Sequence, residues 1–278
     1  MDLVTSALLV LLGLFSGFLG GLLGVGGGII VVPILILVFN LRAQQAVGTS
    51  LVMIIFTALS ATFAYSRQKR LDWRVGLMGA VVTVPGAVVG AYLTQFFSSN
   101  SLTIIFGLFL FFIAASMFRQ SNRTARRDKK PQVKKDQESK RWVWKRRIID
   151  AYGNVFQYDA NIYTGLALLF AGGLASGFFG IGGGLIVVPI LAGIVGLPMH
   201  IAVATSMLTM IFTSVSGVAT HIMLGHVLLE YAAPIVVGIV VGAQVGARTA
   251  KRLRSVSLER VFALVVVVIG IILIATRL

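Results

Sequence analysis

Cysteine is absent from this 278-residue chain, which removes disulfides, iron–sulfur clusters and thiol chemistry from consideration. Histidine occurs three times, at scattered positions. No ligand cluster and no nucleophile–base pair stands out, so we expect no metal, no cofactor and no enzyme. Charge is scarce: 12% of the residues are Asp, Glu, Lys or Arg, against about 25% in globular domains. So few charges cannot cover an aqueous surface, and with 57% hydrophobic residues most of the outside must face lipid. A positive stretch ahead of the first apolar run is also missing, as is a small-residue cleavage site. MDLVTSALLV therefore reads as a retained first helix and not a signal peptide. Finally, no Asp, Glu, Lys or Arg sits inside an apolar segment. Proton-driven carriers commonly place carboxylates there, and a buried cation to hold an anion is equally absent.

What charge there is carries topology. The formal net charge is +15, and 13 of the 24 Lys and Arg lie between Arg119 and Arg147. Most others fall in short gaps between apolar runs, the distribution expected of cytoplasmic loops in a multi-pass protein of a prokaryotic inner membrane. The runs are Leu3–Phe39, Ala46–Ser66, Val75–Phe97, Leu102–Phe118, Ile162–Val195, Ile201–Leu224, Tyr231–Ala247 and Leu258–Thr276. We expect an all-α membrane fold with four segments on each side of a basic linker: a first repeat over 1–118, the linker over 119–160 and a second repeat over 161–278.

The halves are copies. Gly17–Leu35 and Gly173–Leu191 match at 12 of 19 positions at an offset of 156. The same offset relates Ala46, Val47, Thr49 and Ser50 to Ala202, Val203, Thr205 and Ser206. Leu3–Phe39 would span ~55 Å as one helix, too long for one crossing of a ~30 Å core. Consecutive glycines at Gly24–Gly28, and again at Gly180–Gly184, are the expected breaks. Arg67, Lys69, Arg70 and Arg74 follow the second run, whereas the equivalent gap Met223–Glu230 has no Lys or Arg. Conversely Ser98–Ser101 is uncharged while its counterpart holds Arg248, Lys251, Arg252 and Arg254. Equivalent loops thus lie on opposite sides, which predicts inverted repeats. In the linker, the stretch from Arg141 onward mixes basic residues with Trp and Tyr. It reads as a connector lying on anionic headgroups of the bilayer, in preference to a nucleic-acid patch.

Duplicated, broken helices point to a transport site. Amides bared at Gly26, Gly27, Gly28, Gly182, Gly183 and Gly184, at the heads of two half-helices, attract a small anionic substrate. No Lys-Ser/Thr follows the glycines, so a nucleotide loop is a poor reading. Thr49, Ser50, Thr205 and Ser206 add hydroxyl donors without a buried charge; the alternative is back-bonding to carbonyls one turn earlier. Gln244, between Gly242 and Gly246, either lines the cavity or bonds a neighbouring helix. Gln45 and His200 flank the same place more weakly, and His221 reads as interfacial. Gly13, Gly17 and Gly21, spaced by four, read as close helix packing.

The duplicated GxGGGxxxVPxL followed by AVGTS and AVATS resembles the sulfite exporter TauE/SafE family, also called the toluene sulfonate uptake permease family. The resemblance covers both halves and leaves out the linker. It implies a permease for sulfite, sulfoacetate, thiosulfate or related organosulfur oxoanions, working by alternating access, with the glycine breaks and Thr–Ser pairs near the substrate. The particular anion does not carry over. An anion channel, or a permease for a small carboxylate, is the alternative. A homodimer stays open beside the monomer.

Overall fold

The structure, a computed structural model, describes residues 2–112, 144–250, 271, 272 and 275. The final apolar run and the linker up to residue 143 therefore lie almost wholly outside the described residues. Helix α1 (Leu3–Leu23) stops where Gly24 turns left-handed at φ 77°, and its amide closes on the Gly20 carbonyl. Helix α2 (Gly28–Leu37) restarts after Gly27, at φ 83°. At α1's 21 residues, ~31 Å, one crossing is complete; at α2's 10 residues, ~15 Å, it is half a crossing. Nearly all of α2 is buried, which is how irregular backbone is tolerated at membrane depth.

Helices α3 (Ala43–Arg67) and α4 (Trp73–Leu93) follow, then a single 3-10 turn and α5 (Ser99–Phe112). Beyond the linker come α6 (Ile162–Phe179), α7 (Gly184–Ile190) with a π turn over Leu191–Val195, α8 (Met199–Met223) and α9 (Leu229–Thr249). Adding 156 to the bounds of α3 and α4 gives the bounds of α8 and α9.

The chain is mostly helical, and among the described residues five helices are long and apolar enough to cross a membrane. On α1 the outward residues Val4, Leu8, Leu11 and Phe15 recur at helical spacing, and α9 shows Val237, Val241 and Val245. Apolar stripes of this kind suit hydrocarbon and not water.

Long helices pair across the halves. α1 lies on α9 and α4 lies on α6, backbone against backbone. A methyl group on Gly17 would meet the Ile239 carbonyl at 2.9 Å, and one on Gly86 would meet the Leu174 amide at 2.9 Å. Gly13, Gly17 and Gly21 face Ile235, Ile239 and Ala243, while Gly238, Gly242 and Gly246 answer from α9 onto Val10, Leu14 and Phe18. Small residues on both partners let dispersion and backbone contact replace the hydrophobic effect, which has no purchase between helices in lipid.

One expectation needs correcting. The fold is mostly helical and not all-α, because from Trp144 the linker folds into a β-hairpin. β1 (Trp144–Ile149) pairs antiparallel with β2 (Val155–Ala160), Arg146 opposite Tyr158. Composition pointed to the membrane surface because basic and aromatic residues interleave. The hairpin docks because one of its cations, Arg146, and the carboxylate of its turn, Asp150, find partners elsewhere in the chain. Arg146 binds Asp72 through Nε and Nη2 at 2.9 and 2.8 Å, and Tyr158 donates to the same carboxylate at 2.6 Å. Arg70, on the α3–α4 loop, donates twice to Asp150 in the hairpin turn, at 3.1 and 2.8 Å. The Ala151 amide adds a bond to the Gln68 carbonyl, and the Asn161 amide reaches the Val195 carbonyl. The hairpin thus ties the α3–α4 loop of one half to the α7–α8 connection of the other.

Burial by itself raises both carboxylates. For Asp72 the Arg146 and Tyr158 hydrogen bonds outweigh it, and for Asp150 the bonds from Asn154, Arg70 and the Tyr152 amide do. Both end below the usual carboxylate range. A lowered folded-state value means stability present above the unfolded value and lost as pH falls through the folded one. Hairpin docking should therefore hold from neutrality down to about pH 5 and fade below it, readable as lost protection of the Ala151 amide in hydrogen exchange. Arg70→Ala strands the Asp150 carboxylate and should cost about 3 kcal/mol in thermal unfolding. An unchanged melting temperature would show the pair to be without weight.

Candidate functional site

The two breaks lie back to back. A methyl on Gly28 would fall on the Gly180 carbonyl oxygen, and one on Gly184 would fall on the Gly24 carbonyl oxygen. Each contact is the other's image under the 156 offset. Gly26 and Gly182 both face Ile54 of α3 and Met210 of α8, themselves an equivalent pair and both fully buried. Glycine is required at Gly27 and Gly183 by φ of 83° and 80°. At Gly28 and Gly184 it is required by closeness of approach.

Three hydrogen bonds recur in the same paired way. Ser50 Oγ donates to the Gly180 carbonyl at 2.7 Å, and Ser206 Oγ to the Gly24 carbonyl at 3.1 Å. Each hydroxyl also lies within reach of a carbonyl in its own helix, Val47 or Val203. Thr49 Oγ1 accepts from the Leu228 amide at 3.0 Å, and Thr205 Oγ1 accepts from the Asp72 amide at 3.2 Å. Tyr65 donates its hydroxyl to the Gly21 carbonyl at 2.8 Å, and in the equivalent place His221 Nε2 meets the Gly177 carbonyl at 3.0 Å. The start of α3 lies by the end of α8, where Gly48 abuts His226, and the end of α3 lies by the start of α8, where the Asp72 amide bonds Thr205. α3 and α8 are therefore antiparallel.

The structure brings Gly26, Gly27, Gly28, Gly182, Gly183, Gly184, Ser50 and Ser206 into this buried centre. Thr49 and Thr205 lie one residue away, holding the starts of α9 and α4. Gln244 stands apart: it accepts from Arg248 at the exposed end of α9. His200 is exposed at the start of α8. His221 corrects its interfacial reading, being fully buried with both ring nitrogens engaged. Its proximity to a helix end suggested the interface; its partner is a carbonyl in a glycine-rich helix, which helical spacing alone does not show. One further polar atom escaped sequence reasoning. Ser176 Oγ is buried with no hydrogen-bond partner among the described residues, and its Cβ would sit 3.4 Å from a methyl on Gly183. The signal available was a serine in the glycine stripe where the other copy has Gly20.

Chemically, the centre offers two helix heads, with amides that lack intrahelical acceptors, set among hydroxyls and, among the described residues, without a carboxylate. That arrangement suits a small anion. Truncating Ser50 or Ser206 to Ala leaves a break carbonyl buried without its donor. Each change should cost about 1–2 kcal/mol in thermal unfolding. Near-equal losses are expected because the bonds are images; a loss confined to one variant would show that the halves do not share the load.

The family model described as Sulfite exporter TauE/SafE matches residues 9–273. The chain is 34% identical over 271 residues to the probable membrane transporter protein YunE of Bacillus subtilis (strain 168), covering 95% of each. It is 28% identical over 221 residues to a probable membrane transporter protein of Methanocaldococcus jannaschii, covering 77% of this chain and 72% of the relative. A third relative, the probable membrane transporter protein YdhB of Bacillus subtilis, is 26% identical over 267 residues, 96% of this chain and 99% of the relative. No solved structure matches the chain.

Proposed function

From a chain that belongs to the sulfite exporter TauE/SafE family of membrane transporters, we propose a secondary permease for sulfur-containing oxoanions of the sulfite, organosulfonate or thiosulfate type. It is multi-pass in a prokaryotic inner membrane and built of two inverted repeats. The paired hydrogen bonds carry this reading. Equivalent residues reach across to equivalent partners, and the equivalent helices α3 and α8 run antiparallel. A pseudo-twofold axis in the membrane plane would produce this pattern, which supports the reading.

The anion is held near the midplane by the heads of α2 and α7 and by the nearby hydroxyls. In the arrangement described, Ser50 and Ser206 spend their protons on carbonyls of the opposite break. A bound oxoanion competes with those carbonyls for the same protons. As it wins, the contact between the breaks loosens and the repeats rock about it. Thr49 and Thr205 accept from backbone amides, so their own protons stay available to donate. With no fixed cation in the centre, binding is weak enough for release. The Arg-rich α3–α4 loop and the hairpin face the cytoplasm, where the exposed Lys145 and Arg147 meet anionic headgroups.

Reconstituted protein should take up sulfite, thiosulfate or sulfoacetate saturably. Gly27→Val and Gly183→Val should each lower uptake by at least about tenfold with normal insertion. Unitary currents would make the protein a channel. Undiminished uptake in both variants would remove the breaks from the mechanism.

A further inference from the structure

Away from the breaks, a cavity of about 480 Å³ opens at the head of α3. It is lined by Arg42, Gln44, Gln45, Gln95, Ser99 and His226, with Leu224 and Gly225 beside them. We infer that this cavity is a second anion site, a vestibule for a small oxoanion in which Arg42 supplies a fixed charge and His226 a titratable one. The ligand class rests on the permease reading above; the site itself rests on its donors.

Those donors are already oriented. Gln45 Oε1 accepts from the Arg42 amide at 3.3 Å, which leaves its NH2 group to donate. Ser99 Oγ accepts from the Ala43 amide at 2.9 Å, which leaves its O–H to donate. Gln44 is committed to the Phe97 carbonyl. No carboxylate lines the cavity among the described residues. A guanidinium, a carboxamide NH2 and a hydroxyl around one hollow match the several acceptor oxygens of an oxoanion.

The imidazole pair fixes where a proton can add. The Gly177 carbonyl only accepts, so His221 carries its proton on Nε2 and presents Nδ1 as acceptor. His226 Nδ1, 3.1 Å away, must then be the donor. His226 Nε2 remains as the basic atom, and protonating it breaks no bond in the pair. The titratable and charged groups around His226 are His221 on α8, Arg42 at the head of α3 and Glu230 in the first turn of α9. Tyr231 packs edge-on against Phe39, and the α4–α5 connection contributes the neutral Gln95 and Ser99. Burial lowers the His226 value from its ordinary range, and an anion beside it raises it again. Anion affinity therefore grows as pH falls.

At the other side the equivalents of Arg42 and Gln45 are Pro198 and Ile201, and Arg70, the equivalent of His226, is paired with Asp150 of the hairpin. The cavity at the end of the positive loops is lined instead by Arg67, Gln68, Tyr152 and Arg248, so among the described residues the vestibule's donor set occurs at the opposite end alone.

Full-length protein in nanodiscs should be titrated calorimetrically with sodium thiosulfate, whose charge is constant over the range, at about pH 6 and about pH 8. Wild type should bind several-fold tighter at the lower pH. R42Q should bind about tenfold more weakly at both, and R42K should recover most of that loss. H226N keeps a donor where Nδ1 stands but cannot titrate, so its affinity should match wild type at about pH 8 and gain nothing at about pH 6. The same R42Q protein in proteoliposomes should show a raised KM with kcat nearly kept. If R42Q and H226N keep wild-type affinity and pH response while thiosulfate uptake proceeds, the vestibule is overturned and the permease stands. If wild type neither binds nor transports any of the sulfur oxoanions, both fall.

Discussion

Peptide groups freed from a helix inside a bilayer have no water to turn to, and each unpaired one costs several kcal/mol. Most of this architecture answers that constraint at two places, the carbonyls of Gly24 and Gly180. Each is met by a serine hydroxyl from the other half. For the hydroxyl to reach, the breaks must press together, which only glycine at Gly28 and Gly184 permits. For the breaks to press together, α3 and α8 must cross close to their middles, which Ile54 and Met210 mark. The long pairs α1–α9 and α4–α6 then close around the crossing on glycine stripes.

Much of this could be read from residue order, because membrane helices announce themselves by length and their breaks by glycine. The family, the stretches that leave the helix and the lipid-facing character all came from such local signals. What escaped depended on partners distant in sequence. Nothing in the apolar run to Phe39 tells that α2 is only half a crossing long; burial by surrounding helices decides that. The hairpin was hidden because Arg146 and Arg70 find Asp72 and Asp150 more than 70 residues away, and a basic, aromatic stretch looks alike whether it meets lipid or protein. Gln244 pointed to the centre by its apolar surroundings, yet it lies one turn from Arg248 and bonds there. Ser50 and Ser206 bond back one turn, as one of the two readings held, and also reach the opposite break, which no local signal announced.

The halves are not interchangeable in chemistry. Tyr65 and His221 serve equivalent carbonyls with a phenol and an imidazole. Only the imidazole has a second ring nitrogen, and through it the bond runs on to His226. Gly20 in one stripe is Ser176 in the other, and Ser16 in the first is Gly172 in the second, so each break has a buried serine beside it but at a different place in the stripe. Duplication supplied the frame, and such substitutions make its two faces different.

The hairpin adds the largest of these differences. It clasps loops from both halves at one end of the bundle, with Arg70 and Asp150 almost fully shielded, and nothing equivalent among the described residues clasps the other end. Thermal breathing in such a body is lopsided, since separation at the clasped rim must first disrupt two ion pairs and several backbone bonds. The free rim yields first. In the inverted-repeat arrangement proposed above, such a clasp would give the body a preferred resting posture, and with it a sense of direction that the membrane helices alone would not confer.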